Sequence, residues 1–504
     1  MIRPTMEQSL LGGLGGLRPH EHHQEQASVS SGAPGSAVWL AAVVVLLPLL
    51  GVGFLNDDFV GIVDLGPLGW AAVLDQFHPT GSEFLRPLGF VMFRTELSLF
   101  GTRAWLFHAS HLALFVLAAW LAGKLASRLA GHAAAGWTAA LALLYPGRTE
   151  VVAWIAAVFD LLALLLTSAA LLLAAAPDWD RNRIRAPALA ALCFIAPLTK
   201  ESAYAIPIVV LAWELLGVLG SAGPVTRLLR CSCAFAGAVF AFGFRLLALG
   251  GIGGYAGSPL ASAESKVWKL PGMLARVVLA PVNPTYSLAS RILSALCLAA
   301  AVGVVAALLR GSWRIGVRPI AAGLLLALLG LLPALPYLDP VNLVWSQSRL
   351  ITLSGLGVAL AAAAALAQAP KRWSNSAGVL LLAAWAATAI LNGLPWLDAA
   401  RCRDALLAGI EKVTRAPGAH WVWVAGPIND YRGAQLLGGR LAEAVIVAMP
   451  NRAVHADSEF LQQQQHRPVG PPTIGKEGTL HVLRFDPSPP RTTPIEWHAP
   501  AAPP

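Results

Sequence analysis

The sequence predicts an all-α polytopic membrane protein with about eleven transmembrane helices, followed by a small α/β domain. Composition is the first reason, because 56% of the 504 residues are hydrophobic and 12% are charged, whereas soluble domains carry about 25% charged residues. The mean hydropathy is +0.62. The second reason is a succession of apolar runs with lengths near those needed to cross a bilayer. The third is a change of pattern after residue 396, where the long apolar runs stop.

The apolar runs follow one another with short polar loops between them. A spanning helix needs about 20 mostly apolar residues, and the runs 133–146 and 186–199 are short for that purpose. Residues 1–36 are rich in Gly, Ser, Gln and His and lack a signal-peptide pattern, which predicts a disordered cytoplasmic tail. The predicted spans are centred on 37–55, 104–123, 133–146, 151–175, 186–199, 202–219, 231–250, 291–309, 319–338, 349–368 and 377–396.

The distribution of basic residues predicts the orientation of these spans. Five alternate loops together contain twelve Lys and Arg residues against two acidic ones, as expected of cytoplasmic loops. The N-terminus is therefore predicted to be cytoplasmic, and the first outer loop, 56–103, to lie on the outer face of a cell inner (plasma) membrane. We interpret the net charge of +9 as this topology signal and predict no nucleic-acid partner. The five loops are 124–132, 177–185, 220–230, 310–318 and 369–376.

The C-terminal part of the sequence has shorter, mixed patterns. Residues 398–416 are amphipathic with helical spacing, and Leu436–Val445 is helix-like. His420–Ala425 and Leu480–Phe485 resemble strands. These patterns predict a small periplasmic α/β domain. The predicted organisation is a tail at 1–36, a transmembrane domain at 37–396, the α/β domain at 397–486 and a Pro-rich disordered tail at 487–504.

The most informative polar stretch, Asn56-Asp57-Asp58-Phe59, follows the first apolar run directly. Two adjacent carboxylates do not easily hold two full negative charges, so either one pKa rises or a cation lies between them. The pair could therefore act as a base for a hydroxyl or as ligands for a divalent metal ion. The alternative is a solvated turn after a spanning helix, because Asn and Asp favour turns.

Later in the outer loop, Arg86 precedes an amphipathic stretch at 87–100, and its guanidinium geometry suits phosphate oxygens. An interfacial anchor is the alternative for Arg86. His108 and His111 are three residues apart and share one face of a helix. They could bind a metal or an anionic head group, or hydrogen-bond between helices.

Four further candidate sites lie near predicted outer helix ends. Glu150 is placed at a helix start, where a carboxylate is favoured by the helix dipole. Asp160, ten residues later, would lie about 15 Å deeper on a continuous helix and would need a partner there. The turn Lys200-Glu201 and Arg349 offer candidate phosphate ligands, with helix-end snorkelling as the alternative.

The order of these motifs resembles bacterial relatives of the tetratricopeptide-repeat O-mannosyltransferases, within the GT-C superfamily of polyprenyl-phosphate-sugar glycosyltransferases. The resemblance covers roughly residues 37–400, and it implies a GT-C-like transmembrane fold with an acidic motif in the first outer loop. The motifs are Asn56-Asp57-Asp58-Phe59, Arg86-Pro87-Leu88, Phe107-His108 with His111, Tyr145-Pro146-x-x-x-Glu150-x-Val152-x-Trp154-Ile155 followed by Asp160, Lys200-Glu201-Ser202, and Ser348-Arg349.

The sequence also departs from the pattern of these relatives. Phe159 stands where Arg is common, Ser348-Arg349-Leu350-Ile351 replaces an Arg-Tyr-Leu-Tyr-like motif, and no tetratricopeptide repeats follow. Tyr145-Pro146-Gly147-Arg148 stands in place of a Phe-x-x-His-Pro-like turn.

The resemblance implies transfer of a sugar from a polyprenyl-phosphate donor to an acceptor hydroxyl of a glycan, lipid or protein, at the outer face of the bilayer. We expect Asp57 and Asp58 to be catalytic, with an optional Mg or Mn ion bound to them and no organic cofactor. Two alternatives are a multi-span transporter that uses the intramembrane charges and a catalytically inactive membrane scaffold. The expected substrate-binding residues are Arg86, His108, His111, Glu150, Asp160, Lys200, Glu201 and Arg349.

Overall fold

The computed structural model describes residues 36–78, 84–177, 179–220, 223–254, 317–335, 348–369, 371–472 and 479–496, with the single positions 270, 273, 274 and 277. The predicted span at 291–309, most of the predicted loop at 251–290 and all of the predicted tail at 1–36 except Ser36 lie outside the described residues.

The described part is mostly helical. Helix α2 is interrupted at Gly69, where φ is +63°, two residues after Pro67. The helices before the C-terminal sheet are α1 (Ser36–Leu46), α2 (Asp57–Asp75), α3 (Pro87–Phe100), α4 (Ala104–Ala130), α5 (His132–Leu144), α6 (Thr149–Ala153), α7 (Val158–Ala174), α8 (Arg185–Ile195), α9 (Ile206–Leu215), α10 (Pro224–Leu249), α11 (Arg318–Leu329), α12 (Thr352–Gln368) and α13 (Lys371–Val413).

Within the described ranges, five helical segments are long and apolar enough to cross a membrane: Ala104–Ala130, Ile155–Ala174, Pro224–Leu249, Ser348–Gln368 and Ser374–Val413. Four shorter apolar helical segments accompany them, at Val38–Gly51, His132–Leu144, Arg185–Leu198 and Arg318–Leu329. The helical, membrane-spanning character expected from the sequence is confirmed. The total of eleven spans stays a prediction.

Small residues let several of these helices pack closely. A Cβ on Gly323 of α11 would lie 2.5 Å from the backbone nitrogen of Ala361 in α12, and one on Gly357 would lie 2.2 Å from that of Ala327. Close backbone approach of this kind is typical of helix packing in membranes. This close packing fixes α11 against α12. The turn that contains Arg349, one of the predicted phosphate ligands, directly precedes α12.

Three of the predicted inner loops, 124–132, 177–185 and 220–230, lie together at one end of the described helices. Arg128, at the end of α4, donates to the carbonyl oxygen of Leu172 at the end of α7. The guanidinium of Arg230 lies 5.2 Å from the ring centre of Trp179. The residues predicted to face outward lie at the opposite helix ends. The two-sided pattern of the sequence is therefore present in the fold.

The predicted continuous helix across 151–175 is wrong. Trp154 has extended backbone angles, φ −118° and ψ 119°, and it separates the short helix α6 from a 3-10 turn at Ile155–Ala157. Helix α7 begins only at Val158, so Asp160 lies in its first turn. Because of this break, Asp160 is not about 15 Å below Glu150 but at the same end of the bundle.

The C-terminal region contains a four-stranded sheet. Strand β1 (His420–Ala425) pairs in parallel with β4 (Val454–Ser458) and β5 (Thr479–Pro487), and β6 (Pro490–Pro494) runs antiparallel to β5. The predicted strands at 420–425 and 480–485 are therefore confirmed. A small pair, β2 (Asp430–Tyr431) and β3 (Ala434–Gln435), and the helices α14 (Leu441–Ala448) and α15 (Glu459–Gln464) complete the region.

Three boundaries in this region differ from the sequence-based prediction, and one is the helix expected at Leu436–Val445, which spans Leu441–Ala448. The amphipathic segment at 398–416 is not a separate helix, because α13 continues through Pro395 to Val413. Strand β6 lies inside the stretch 487–504 that was expected to be disordered, and pairing with β5 explains its order.

Candidate functional site

A cluster of ion pairs lies where α3, the turn at 199–205 and α10 meet. Arg86 holds Glu201 through two nitrogens, with Nη2 2.7 Å from Oε2 and Nε 3.1 Å from Oε2. Arg245 Nη1 lies 2.9 Å from the other carboxylate oxygen, Oε1. Burial opposes ionisation of Glu201, but the charges of Arg86, Lys200 and Arg245 outweigh it and lower its pKa to about 2. Glu201 is therefore a fixed negative charge between two guanidinium groups.

The second pair, Lys200 and Asp160, joins the start of α7 to the same turn. Lys200 Nζ lies 3.1 Å from Asp160 Oδ2, and both side chains are buried. Burial lowers the pKa of Lys200 to about 8, with further lowering by the charges of Arg86 and Arg349 and opposition from Asp160. Helix α3 approaches closely here, since a Cβ on Gly89 would lie 2.0 Å from the ring of Phe159.

The third pair, Glu150 and Arg349, joins α6 to the start of α12. Glu150 is fully buried and accepts from the backbone nitrogen of Arg349 at 2.9 Å and from Ser348 Oγ at 3.1 Å. The Arg349 guanidinium also donates to Glu150 and lies 4.7 Å from the ring centre of Trp154. The carboxylate therefore fixes the 3-10 turn at Ser348–Ile351 that precedes α12.

A small cavity, with room for about one water molecule, lies beside Asp160 and Arg349. Charged and hydroxyl-bearing residues line one part of it and aliphatic residues the other. Thr167 is 1% exposed, and its hydroxyl has no hydrogen-bond partner among the described residues. An unpaired buried hydroxyl is costly, and a water molecule or a polar ligand in the cavity would satisfy it. The lining is formed by Asp160, Ala163, Leu164, Thr167, Ser202, Arg349, Leu350, Thr352 and Leu353.

Asp57 and Asp58 have different environments despite their adjacency. Asp58 is fully buried and accepts from the backbone nitrogens of Leu55, at 2.8 Å, and Ala156, at 2.6 Å. Burial raises the pKa of Asp58 above its ordinary value, and the two amide hydrogen bonds oppose this rise. The side chain of Asp57 is 49% exposed and lies 3.3 Å from Arg440 Nε. The carboxylate of Asp58 is therefore occupied by hydrogen bonds from backbone amides, whereas the carboxylate of Asp57 faces the surface.

Asn56 connects this acidic pair to the C-terminal region. Its backbone nitrogen donates to Leu436 at 2.9 Å, and its Nδ2 donates to Gln435 Oε1 at 2.8 Å. With φ at +43°, Asn56 has a backbone conformation that few non-glycine residues adopt. Such strain is maintained only where the surroundings enforce it, and it is frequent at functional sites.

The two predicted histidine ligands are buried and have protein partners. His108 Nε2 lies 3.1 Å from the carbonyl oxygen of Gly53, and its Nδ1 lies 3.3 Å from that of Val152. His111 Nε2 lies 3.1 Å from Glu96 Oε2 in α3. Neither histidine lines the cavity. Both are therefore placed as inter-element contacts, the alternative that the sequence left open.

Asp57 and Asp58 are poorly placed to bind one metal ion together, because both oxygens of Asp58 accept backbone hydrogen bonds. Among the residues that the structure describes, no group of three or more His, Cys, Asp or Glu side chains could hold a metal ion. We therefore derive no chemical step through a metal.

Four residues that sequence reasoning missed contribute to the site: Arg245, Thr167, Arg403 and Arg440. Arg245 lies inside the apolar run 231–250, where an ionisable residue is by itself a sign of function. Arg403, which donates to the carbonyl oxygens of Val52 and Phe54, lies in a segment rich in other charges, so no signal distinguishes it. Arg440 lies in the mostly apolar stretch 436–448, where no motif marks it. Thr167 is recognisable only from its unpaired hydroxyl in the structure.

No protein-family model matches this chain, and no curated protein matches it. Among solved structures, a crystal structure of ArnT from Cupriavidus metallidurans bound to undecaprenyl phosphate is similar, with a TM-score of 0.43, 13% identity and coverage of 84% of this chain and 89% of that one. A crystal structure of the apo state of ArnT from Cupriavidus metallidurans gives a TM-score of 0.36, 16% identity and coverage of 90% and 93%. Likeness at this level assigns no activity to the chain.

Proposed function

We propose that this protein is a membrane glycosyltransferase that moves a sugar from a polyprenyl-phosphate donor to an acceptor hydroxyl at the outer face of the inner membrane. The observation that carries the proposal is the cluster of ion pairs beside a cavity at one end of the bundle. Four cations, Arg86, Lys200, Arg245 and Arg349, stand there against three carboxylates, Asp160, Glu150 and Glu201.

The cluster suits a lipid-linked phosphate group. Its formal charge is one unit positive, and the paired carboxylates hold the cations in place before a ligand arrives. Fixed cations stabilise charge that develops on a leaving group without reorganisation. Helix α3, which Arg86 precedes, is predicted to lie in the membrane interface, where the phosphate of a polyprenyl lipid is located. We assign phosphate binding to Arg86, Lys200 and Arg349.

We place the sugar of such a donor at this cavity, which would have to widen on binding because it has room for only about one water molecule. Asp160, Arg349 and the hydroxyls of Thr167, Ser202 and Thr352 provide acceptors and donors for sugar hydroxyl groups. The aliphatic part of the lining provides the apolar surface that ligand pockets usually have. Glu150 and Glu201 position the cations instead of touching the sugar.

Asp57 is the proposed base, because Asp58 is buried and uses both oxygens for backbone amides. The acceptor oxygen forms a bond to the anomeric carbon while its proton moves to the Asp57 carboxylate. The bond between that carbon and the phosphate oxygen breaks, and the polyprenyl phosphate leaves with the additional negative charge. General-base help of this kind contributes about 10²- to 10⁴-fold in rate.

The transporter alternative loses support from the position of Asp160. A proton or substrate path needs ionisable groups distributed through the membrane, whereas Asp160 lies in the first turn of α7 and pairs with Lys200. The other site charges lie at the same end of the bundle.

Sugar release tests the proposal without knowledge of the acceptor, because water can replace it. Purified full-length protein is incubated with undecaprenyl-phosphate mannose or undecaprenyl-phosphate glucose, and free sugar and undecaprenyl phosphate are quantified. We expect release from at least one donor and its loss in Arg86→Gln. Arg128→Gln, at the opposite end of the bundle, is the matched control and should retain activity. Equal release by wild type and Arg86→Gln would contradict the proposal.

A further inference from the structure

We propose that Arg403 is a positioning residue for Asp57, acting through the backbone carbonyls of Val52 and Phe54 in the segment that ends two residues before Asp57. The inference rests on the proposed function for the role of Asp57. The anchoring itself rests only on the hydrogen bonds of Val52–Leu55, the segment between the 3-10 turn at Leu47–Gly51 and α2.

Arg403 binds two of the four backbone carbonyls of this segment. From α13, its Nη1 donates to the carbonyl oxygen of Val52 at 2.8 Å and to that of Phe54 at 2.7 Å. Arg403 is 9% exposed, and its Nε and Nη2 both donate to Asp404 Oδ1. The neighbouring carboxylate therefore holds the guanidinium in the orientation that reaches the segment.

Two other elements hold the remaining carbonyls. His108 Nε2, from α4, lies 3.1 Å from the carbonyl oxygen of Gly53. Trp154 Nε1 donates to that of Leu55 at 3.2 Å. The segment is thus held by side chains from three separate parts of the chain, and the Leu55 carbonyl also accepts from the backbone nitrogen of Asp58 at 3.0 Å. Buried backbone carbonyls need such partners.

Gly53 makes this arrangement possible. Its φ is +73°, which other residues adopt only with strain, and a Cβ there would lie 2.6 Å from Arg403 Nη1. A glycine at this position therefore admits both the turn and the guanidinium. The arrangement fixes the place where α2 begins, and Asp57 is the first residue of that helix.

A fixed base is expected to matter for rate more than for donor affinity. The proposed phosphate ligands belong to other elements, so loosening 52–55 should leave donor binding unchanged. Misplacement of a reacting group by about 1 Å can lower a rate about 100-fold. The expected signature of a positioning residue is a lower kcat with an unchanged KM.

The test compares Arg403→Met, Arg403→Lys and Arg401→Met in the full-length protein. Hydrogen exchange of the peptide that covers 52–60 measures the anchoring, and sugar release from undecaprenyl-phosphate mannose or glucose gives kcat and KM. For Arg403→Met we expect faster exchange in this peptide and a kcat at least tenfold lower, with KM within twofold of wild type. Arg403→Lys, which keeps a donor, should restore part of both properties.

Arg401→Met is the matched control, because the exposed Arg401 lies on the same helix and pairs with Asp398, and it should resemble wild type. Unchanged exchange at 52–60 in Arg403→Met would overturn the anchoring. Faster exchange with an unchanged kcat, or with kcat and KM changed together, would overturn the positioning role. Absence of sugar release by the wild type would instead overturn the proposed function, and the exchange measurement would still decide the anchoring.

Discussion

The guanidinium of Arg349 lies 4.7 Å from the ring centre of Trp154, and this contact joins the two halves of the site. On one side, Arg349 belongs to the cluster of ion pairs and to the cavity lining. On the other, Trp154 Nε1 donates to Leu55, three residues before Asp58. The break in the helix at Trp154 makes both contacts available to one side chain. The proposed phosphate site and the acidic loop are thus held together by a residue between them.

Replacing Asp57 and Asp58 one at a time with Asn should show which carboxylate the reaction needs and which one stabilises the fold. Asp57→Asn should lower sugar release at least about 100-fold, because the proposed base is removed. Its unfolding free energy should change by less than about 1 kcal/mol, since an exposed ion pair contributes little. Asp58→Asn should lose about 1–3 kcal/mol, because one buried backbone amide then faces an NH₂ group. Thermal unfolding measures the change in stability, and the release assay measures the change in activity. If Asp58→Asn lost activity and Asp57→Asn lost stability, the base would be Asp58 and not Asp57.

Binding of undecaprenyl phosphate should weaken at alkaline pH. The pKa of Lys200 is lowered to about 8 by burial, so its ammonium is present below that pH and is lost as the pH rises through it. Above about pH 8 the affinity should fall by up to tenfold per pH unit, because binding must then restore the proton. Lys200→Arg keeps its charge over this range and should show a flat profile. A wild-type profile that is equally flat from pH 7 to pH 9.5 would exclude Lys200 as a phosphate ligand.

Glu201 should cause the free energy of unfolding to decrease at acid pH. Its folded pKa of about 2 lies below the ordinary value of 4.5, so the unfolded state binds more protons between these values. The stabilisation is complete above about pH 4.5 and is lost as the pH falls towards 2, on the order of 3 kcal/mol in all. The difference in unfolding free energy between wild type and Glu201→Gln should therefore shrink over this interval. A constant difference would show that the ion pairs with Arg86 and Arg245 are not maintained in solution.

Replacing the unpaired hydroxyl of Thr167 should stabilise the protein and impair transfer. Thr167→Val removes a buried polar group without a partner, which should raise the melting temperature. It should also reduce sugar release, while affinity for undecaprenyl phosphate, which has no sugar, stays unchanged. Thr138→Val is the control, because the Thr138 hydroxyl is also buried and unpaired within the described residues but lies outside the cavity lining. It should be stabilised with full activity, and equal activity of the two variants would argue against a sugar site in the cavity.

The sequence predicted that the polar site residues lie on one side of the helices, because charge pattern and span length can be read locally along the chain. The alternation of basic loops placed Arg86, Glu150, Lys200 and Arg349 on one side, and the fold brings them to one end of the bundle. The strand at His420–Ala425 was equally readable from its alternation.

The break at Trp154 could not be predicted, because Val151 to Ala157 is as apolar as the helix that follows. The division between Asp57 and Asp58 depends on backbone amides from Leu55 and Ala156, and the second of these is distant in sequence. The contacts of Arg403 with Val52 and Phe54 join residues about 350 positions apart. Contacts across such separations leave no pattern in a single sequence.

A structure of the purified protein with bound undecaprenyl phosphate would test the central claim most directly. We expect the phosphate oxygens within hydrogen-bonding distance of Arg86, Lys200 and Arg349, with the cavity at Thr167 open beside them. A phosphate bound elsewhere, such as at the opposite end near Arg128 and Arg185, would contradict the assignment of the cluster as the donor site.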